Sequence, residues 1–283
     1  MGLARRCFLL LALSSFLWEA ASKKFLGANW KCTLESIEDV DELVNNLNQM
    51  WESLSDAEAA SVELCVNPPY VFIEHVRQRL VKDIAVGSQN AFDAIGPNKG
   101  NTGSCTMPML RSVGSEWVLL GHSDRRNSLG ETNALISDKV QKTLEAGMGV
   151  ILTMGELKWQ RQTFQALSTL RTQLKIAAKG IPADAWGNVV LAYEPVWAIG
   201  EGATPCSPKE AQRVSAALRT WIRHNVGDEA AEACRIVYTG SVNEKNAADY
   251  AGLDGVDGFV VGRAGLDTTK LKSIIKDLAQ AIQ

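Results

Sequence analysis

The 283-residue chain is 46% hydrophobic and 22% charged, and its formal net charge is −3. A chain of this composition can bury a large core, and a single α/β barrel often has this length. The weak negative charge offers no basic surface for a nucleic-acid partner, and no stretch after the N-terminus is apolar enough to cross a bilayer.

The N-terminal segment, residues 1–22, has the charge and hydrophobicity pattern of a secretory signal. Arg5 and Arg6 precede an apolar run that ends at Leu17, and the small residue Ser22 closes the segment. We therefore expect the chain to enter the secretory pathway, with an extracellular destination or an endomembrane-derived organelle such as a plastid. The alternative is a first buried helix, and without a functional signal the protein would remain cytoplasmic.

Five cysteines follow this segment, and they indicate neither a disulfide framework nor a metal site. Their number is odd, they are scattered along the chain, and none has zinc-ligand spacing. They are Cys32, Cys65, Cys105, Cys206 and Cys234. A core that folds without disulfides is typical of cytosolic enzymes, so the cysteines leave the redox compartment open.

Short apolar runs alternate with amphipathic segments along the rest of the chain. Near-continuous apolar runs are typical of parallel strands buried on both faces, and the segments between them have a helical period. The predicted strands cover residues 24–29, 62–67, 84–90, 116–122, 149–155, 188–194, 235–240 and 258–262. The clearest predicted helices cover residues 36–51, 132–146, 207–225 and 267–283.

The order of these elements predicts one (β/α)8 barrel over residues 23–283. Eight strand–helix repeats in about 260 residues fit a closed barrel better than an open doubly wound sheet. An open dinucleotide-binding sheet would carry a G-x-G-x-x-G turn after its first strand. The residues around Gly27 lack that turn, so the closed barrel is favoured.

Polar side chains follow several of the predicted strands. In a barrel the loops after the strands gather at one face, where the active site lies. These side chains and turns are Asn29 and Lys31 after strand one, His122 and Ser123 after strand four, Glu194 after strand six, and residues 239–242 and 261–265 after strands seven and eight. An amide, a lysine, a histidine and a carboxylate beside donor-rich turns fit proton abstraction next to a carbonyl in a phosphorylated substrate.

Each residue taken alone also has a structural explanation. Lys31 fits a solvated surface lysine, His122 a structural hydrogen-bond donor, and Glu194 a cap for the loop that follows it. The glycines fit ordinary turns. The convergence of these residues at the ends of several strands is what favours a catalytic interpretation.

Five segments resemble the signature segments of the triosephosphate isomerase family, and they occur in the family's order. They are GANWKC (27–32), GHSDRR (121–126), AYEPVWAIG (192–200), YTGSV (238–242) and GFVVGRA (258–264). The resemblance extends over about residues 23–283. It implies an enzyme of glycolysis and gluconeogenesis that interconverts dihydroxyacetone phosphate and D-glyceraldehyde 3-phosphate through an enediol(ate), and it implies a homodimer.

The resemblance also implies a role for each residue. Glu194 is the base, and His122 is a neutral electrophile that polarises the carbonyl. Lys31 supplies positive charge, and Asn29 adds a hydrogen-bond donor. The substrate phosphate is held by backbone amides at Gly200, Ser241, Gly262 and Arg263, with Ser123, Asp124 and Tyr238 in supporting roles. A loop over residues 195–205 closes on the site and excludes water, and no cofactor or metal is required.

Several positions depart from the family pattern. Asp124 replaces a longer glutamate, Thr239 and Arg263 stand where glycines are expected, and Thr153 replaces a cysteine. Because Thr239 is β-branched, it is expected to resist positive φ angles and hinder a backbone flip. The lid is one residue longer and lacks a hinge lysine, and the loop tip at residues 100–104 is one residue shorter, which weakens the expectation of a dimer.

These departures leave three functions open. The leading one is an active, exported isomerase, because the four chemical residues are all present. The second is a catalytically weakened or inactive paralogue that acts as an exported binding or interaction protein. The third is an isomerase with an altered substrate preference.

Overall fold

Eight parallel strands close into a barrel in the order β1 to β8. The computed structural model describes residues 23–92, 102–200 and 202–282. The strands are β1 (Lys24–Asn29), β2 (Val62–Asn67), β3 (Ala85–Ser88), β4 (Trp117–Leu120), β5 (Gly149–Met154), β6 (Val189–Tyr193), β7 (Arg235–Thr239) and β8 (Gly258–Val261). The (β/α)8 barrel predicted from the sequence is therefore confirmed. The predicted signal at residues 1–22 lies outside the described residues.

The helices cover the outside of the barrel. They are α1 (Ile37–Glu52), α2 (Asp56–Ser61), α3 (Ile73–Arg79), α4 (Met107–Ser112), α5 (Asn133–Glu145), α6 (Lys158–Gln162), α7 (Ala166–Ala177), α8 (Pro208–Asn225), α9 (Asp228–Ala233), α10 (Ala247–Ala251) and α11 (Thr268–Gln280). All four helices predicted most clearly are present.

The residues predicted to begin these four helices are their N-caps, so each helix starts one residue later than predicted. The side chains of Ser36, Thr132, Ser207 and Asp267 accept hydrogen bonds from backbone N–H groups of the first turn. An N-cap satisfies donors that have no partner within the helix. The last helix also ends at Gln280, three residues before its predicted end.

Two layers of apolar side chains form the core. The barrel interior is filled by a cluster that includes Phe25, Trp117 and Ile151. A larger cluster lies between the strands and the helices, with Leu64, Val140 and Leu278 among its members. Because both faces of each strand are buried, the strands are near-continuously apolar, as the sequence suggested.

Most strands are shorter than predicted at their C-terminal ends. Strand β3 ends at Ser88, and the Gln89 side chain instead donates to the backbone oxygens of Lys31 and Asn67. Strands β4 and β6 likewise end before His122 and Glu194. These polar residues therefore belong to the loops at the barrel mouth rather than to the hydrogen-bonded strands.

The five described cysteines carry free thiols. Three of them, Cys65, Cys206 and Cys234, are buried, and burial raises their thiol pKa values, to about 12 for Cys206 and Cys234. Within the described ranges, no helix has the length and apolar character needed to cross a membrane.

Candidate active site

A cavity of about 1090 Å³ opens at the C-terminal mouth of the barrel. Among its lining residues are Asn29, Lys31, His122, Glu194, Gly200, Thr239, Ser241, Gly262 and Arg263. The structure thus brings together the predicted chemical residues and the predicted phosphate-binding residues. Ser123, Asp124 and Tyr238 do not line the cavity and act on it through contacts described below.

Glu194 is a buried carboxylate at the foot of the cavity, and only 2% of the residue is exposed. Its Oε2 accepts from the Ser123 backbone N–H at 2.8 Å, and its Oε1 accepts from the Ser123 hydroxyl at 2.8 Å. His122 Nε2 lies 3.2 Å from the same Oε1. These contacts hold the carboxylate at the foot of the cavity, against the start of the loop after β4.

Gly155 allows Glu194 to occupy this position. It follows β5 directly, and the Glu194 backbone N–H donates to the Met154 oxygen at 2.8 Å. A Cβ atom at residue 155 would lie 1.6 Å from the Glu194 backbone oxygen. Only glycine permits the ends of β5 and β6 to approach so closely.

The hydrogen bonds of the His122 ring indicate its tautomer. The Asp124 backbone N–H donates to Nδ1 at 3.1 Å, so Nδ1 carries the lone pair and the proton resides on Nε2. Asp124 Oδ2 also lies 3.3 Å from Nδ1. That carboxylate is largely exposed and forms an ion pair with Lys31, which reduces its effect on the ring.

Lys31 is fixed in a backbone conformation that side-chain-bearing residues rarely adopt. Its φ angle is +51°, and two contacts stabilise this strained conformation. The Lys31 N–H donates to Asn29 Oδ1 at 3.1 Å, and the Lys31 oxygen accepts from Gln89 Nε2 at 2.6 Å. The ammonium group is thereby presented to the cavity, 3.2 Å from Asp124 Oδ2.

The phosphate end of the cavity contains backbone donors without acceptors. Within the described part of the chain, the N–H groups of Gly200, Ser241 and Gly262 donate to no other residue. The Ser241 oxygen, in contrast, accepts from the side chains of Asn243 and Asn246. Converging free N–H groups are a suitable environment for an anion.

Comparison with known proteins agrees with this arrangement. The family model described as "Triosephosphate isomerase" matches residues 24–278.

The chain belongs to the triosephosphate isomerase family.

Similar curated proteins carry the same name. The chloroplastic triosephosphate isomerase of Arabidopsis thaliana is 37% identical over 258 residues, 91% of this chain and 78% of that protein. The cytosolic triosephosphate isomerase of Stellaria longipes is 40% identical over 256 residues, 90% of this chain and 96% of that protein. The triosephosphate isomerase of Neurospora crassa is 41% identical over 247 residues, 87% of this chain and 95% of that protein.

Two departures from the triosephosphate isomerase pattern are accommodated without strain. The shorter Asp124 still reaches Lys31, as the 3.2 Å ion pair demonstrates. Thr239 ends β7, and among the described non-glycine residues only Lys31 and Phe164 have positive φ angles. The neighbouring Gly240 has the unusual φ of +150°, so the β-branched residue does not have to adopt it in this conformation.

A third departure from the family pattern leaves a buried group without a partner. Thr153 in β5 is 1% exposed. Among the described residues its hydroxyl has no hydrogen-bond partner. An unsatisfied buried hydroxyl lowers the stability of the fold. The cysteine expected at this position has a less polar thiol, whose burial without a partner would lower the stability less.

Sequence reasoning missed Glu156, which holds the end of β6 and the start of the loop that follows it. This fully buried residue follows Gly155, and its Oε1 accepts from Trp197 Nε1 at 2.7 Å and from the Tyr193 hydroxyl at 3.1 Å. The Arg161 guanidinium lies 4.0 Å from the centre of the Trp197 ring. Burial raises the pKa of the Glu156 carboxyl, and the Trp197 and Tyr193 hydrogen bonds offset only part of that effect.

Sequence reasoning also missed a buried ionic cluster behind the turn that carries His122. Glu131 Oε1 accepts from Lys139 Nζ at 2.8 Å, from Arg125 Nη2 at 2.6 Å and from Asn90 Nδ2 at 3.0 Å. Burial alone would raise the pKa of Glu131, but the hydrogen bonds from Lys139 and Arg125 lower it overall. The cluster fixes Arg125, three residues after His122, against the barrel.

Proposed function

We propose that this chain interconverts dihydroxyacetone phosphate and D-glyceraldehyde 3-phosphate through an enediol(ate). The observation that carries the proposal is the pairing of a buried carboxylate and an imidazole in one cavity. Glu194 Oε1 lies 3.2 Å from His122 Nε2, and the free backbone donors of the phosphate end line the same cavity.

Glu194 is the proposed base. In this structure its oxygens are engaged by Ser123, so the side chain must turn away from Ser123 before it can remove a proton from the substrate carbon. Ser123 holds the carboxylate in place until then. The proton that Glu194 takes from one carbon is returned to the adjacent carbon. The hydroxyl proton of the substrate moves to the former carbonyl oxygen through His122, so the isomerisation balances without any other reactant.

His122 and Lys31 are proposed to stabilise the negative charge that develops on the substrate oxygens. The His122 proton on Nε2 is placed to donate to a substrate oxygen once Glu194 has turned, and Lys31 adds positive charge. Asn29, which is 7% exposed and holds the Lys31 backbone, adds a donor. Preorganised charge and dipoles of this kind are usually the largest contribution to catalysis.

Backbone amides of Gly200, Ser241, Gly262 and Arg263 are proposed to hold the phosphate, and residues 195–205 to close over it. Tyr238 is proposed to support the loop through Tyr250, since the two rings stack with centroids 4.8 Å apart. The Tyr250 hydroxyl in turn donates to the Cys206 oxygen, at the end of the lid.

The test is an isomerase assay on purified residues 23–283 with D-glyceraldehyde 3-phosphate as substrate. The proposal predicts a rate far above that of the matched Glu194→Gln variant. Equal rates in the two proteins would contradict it and would favour the inactive, ligand-binding paralogue.

We also propose that the chain forms a homodimer. Two apolar side chains are exposed on the surface, Val71 at 79% and Met109 at 58%. Burying them against a second copy would recover about 25 cal/mol per Å² of apolar surface. Sedimentation equilibrium is expected to give twice the monomer mass, and Val71→Asp with Met109→Asp is expected to give monomers. A wild-type monomer at micromolar concentration would contradict the dimer.

Residues 1–22 are proposed to bring the chain into the secretory pathway. The support is their charge and hydrophobicity pattern alone. A fluorescent reporter fused to this segment is expected to enter the secretory route, and replacing Arg5, Arg6 and the apolar run should leave it in the cytoplasm. A cytoplasmic wild-type fusion would contradict the proposal.

A further inference from the structure

Positively charged side chains line the cavity in addition to the backbone amides proposed to hold the phosphate. The cations on the cavity lining are Lys31, Lys245, Arg263 and Lys270, and the carboxylates are Glu194 and Glu244. Two of the cations already have partners. Lys31 pairs with Asp124 at 3.2 Å, and Lys270 pairs with Asp267 at 3.2 Å.

Arg263 is the cation left without a counter-charge. Its side chain is exposed, and no hydrogen bond or ion pair joins its guanidinium to any residue within 23–92, 102–200 or 202–282. The Lys245 ammonium also has no such partner, but the neighbouring Glu244 lines the same cavity and opposes its charge. The surplus charge therefore belongs mainly to Arg263.

The strand order places Arg263 far from His122, although β8 is paired with the strand that precedes Lys31. Arg263 follows β8, which lies four strands from β4 and therefore on the opposite side of the closed barrel from His122. The cavity volume of about 1090 Å³ leaves space beyond a three-carbon phosphate. A planar guanidinium with several N–H donors matches the geometry of a phosphate group better than a lysine does.

We propose that the Arg263 side chain recognises a second anionic group, so that the site prefers ligands with two phosphate groups over ligands with one. This inference rests on the proposed function, because the backbone amides are taken to hold the first phosphate. Arg263 then determines specificity at the rim, and small bisphosphorylated compounds compete with the triose phosphate for the site.

Calorimetric titration of the purified protein with inorganic phosphate and with inorganic pyrophosphate tests the proposal. Ionic strength is held constant, since exposed charges are screened by salt. Wild-type protein is expected to bind pyrophosphate at least tenfold more tightly than phosphate. In Arg263→Met this ratio should fall about five- to tenfold, as expected for losing a charge-assisted contact at a partly exposed site, while phosphate affinity changes less than about twofold.

Two further variants make the result specific to the guanidinium. Arg263→Lys keeps the charge and should retain part of the preference. Lys270→Gln removes a charge from the same cavity, but that charge is already paired, so the ratio should not change. An unchanged ratio in Arg263→Met would overturn the proposal, and so would tighter binding of both ligands, which would mean that the side chain crowds the first phosphate.

Failure of the proposed function would look different. Wild-type protein that binds neither anion would overturn both the amide cradle and the second-anion proposal. An active isomerase that binds phosphate but shows no pyrophosphate preference would overturn only the role given to Arg263.

Discussion

Removing the Glu156 carboxylate should destabilise the barrel where the loop after β6 begins. Glu156→Ala leaves the buried Tyr193 hydroxyl and the Trp197 indole N–H without their acceptor. A hydrogen bond to a charged acceptor contributes about 1.5–3 kcal/mol to stability. Removing the carboxylate also removes the desolvation penalty of a buried charge, which offsets part of the loss. We expect a net loss of about 2–4 kcal/mol in the free energy of unfolding. Glu156→Gln keeps one acceptor oxygen and should lose about 1 kcal/mol.

The same residue predicts a pH dependence. Burial raises the pKa of Glu156 above the ordinary value of 4.5. As the pH rises from 4.5 through the folded pKa, the unfolded chain has released a proton that the folded chain still holds, so stability falls. Glu156→Gln cannot titrate, and its disadvantage relative to wild type should therefore be larger near pH 4.5 than at pH 8.

Urea unfolding followed by tryptophan fluorescence measures both effects, at one protein concentration and at several pH values. The reasoning would be refuted by a loss below about 1 kcal/mol in Glu156→Ala, since the two hydrogen bonds would then contribute nothing. A stability difference between wild type and Glu156→Gln that grows with pH would refute the sign of the pKa shift.

Three other substitutions test the surroundings of the site by urea unfolding. Gly155→Ala should cost about 3 kcal/mol or more and lower activity, because its Cβ would lie 1.6 Å from the Glu194 oxygen; near-wild-type stability would contradict the close approach. Lys139→Met should cost about 2–3 kcal/mol, since Glu131 keeps other donors but loses a buried cation; a neutral result would mean that the remaining donors suffice. Thr153→Val should stabilise by about 1 kcal/mol by removing an unsatisfied hydroxyl, and a loss of stability would imply a partner for that hydroxyl.

The barrel and the polar residues at its mouth could be predicted because they depend on local patterns, although most strands end one or two residues earlier than predicted. Apolar runs mark strands buried on both faces, and the first polar residue after each run must lie at the mouth. This reasoning located Lys31, His122 and Glu194 without any knowledge of their contacts. It also predicted the starts of the four clearest helices to within one residue.

The contacts around these residues could not be predicted because they join distant parts of the chain. Ser123 is 71 residues from Glu194, and Glu156 is 41 residues from Trp197. Gly155 appears in the sequence as an ordinary turn residue, and only the approach of β6 shows why a side chain is excluded there. The concern over Thr239 assumed a positive φ angle that, in this conformation, falls on Gly240 instead.

The central claim is that Glu194 moves the proton, and hydrogen exchange measures that step directly. Dihydroxyacetone phosphate incubated with the protein in D₂O is followed by proton NMR for loss of the C1 hydrogen signal. We predict enzyme-catalysed exchange in wild type and a decrease of about 10³-fold in Glu194→Gln, within the range expected for a general base. Equal exchange in the two proteins would show that another group removes the proton and would contradict this mechanism.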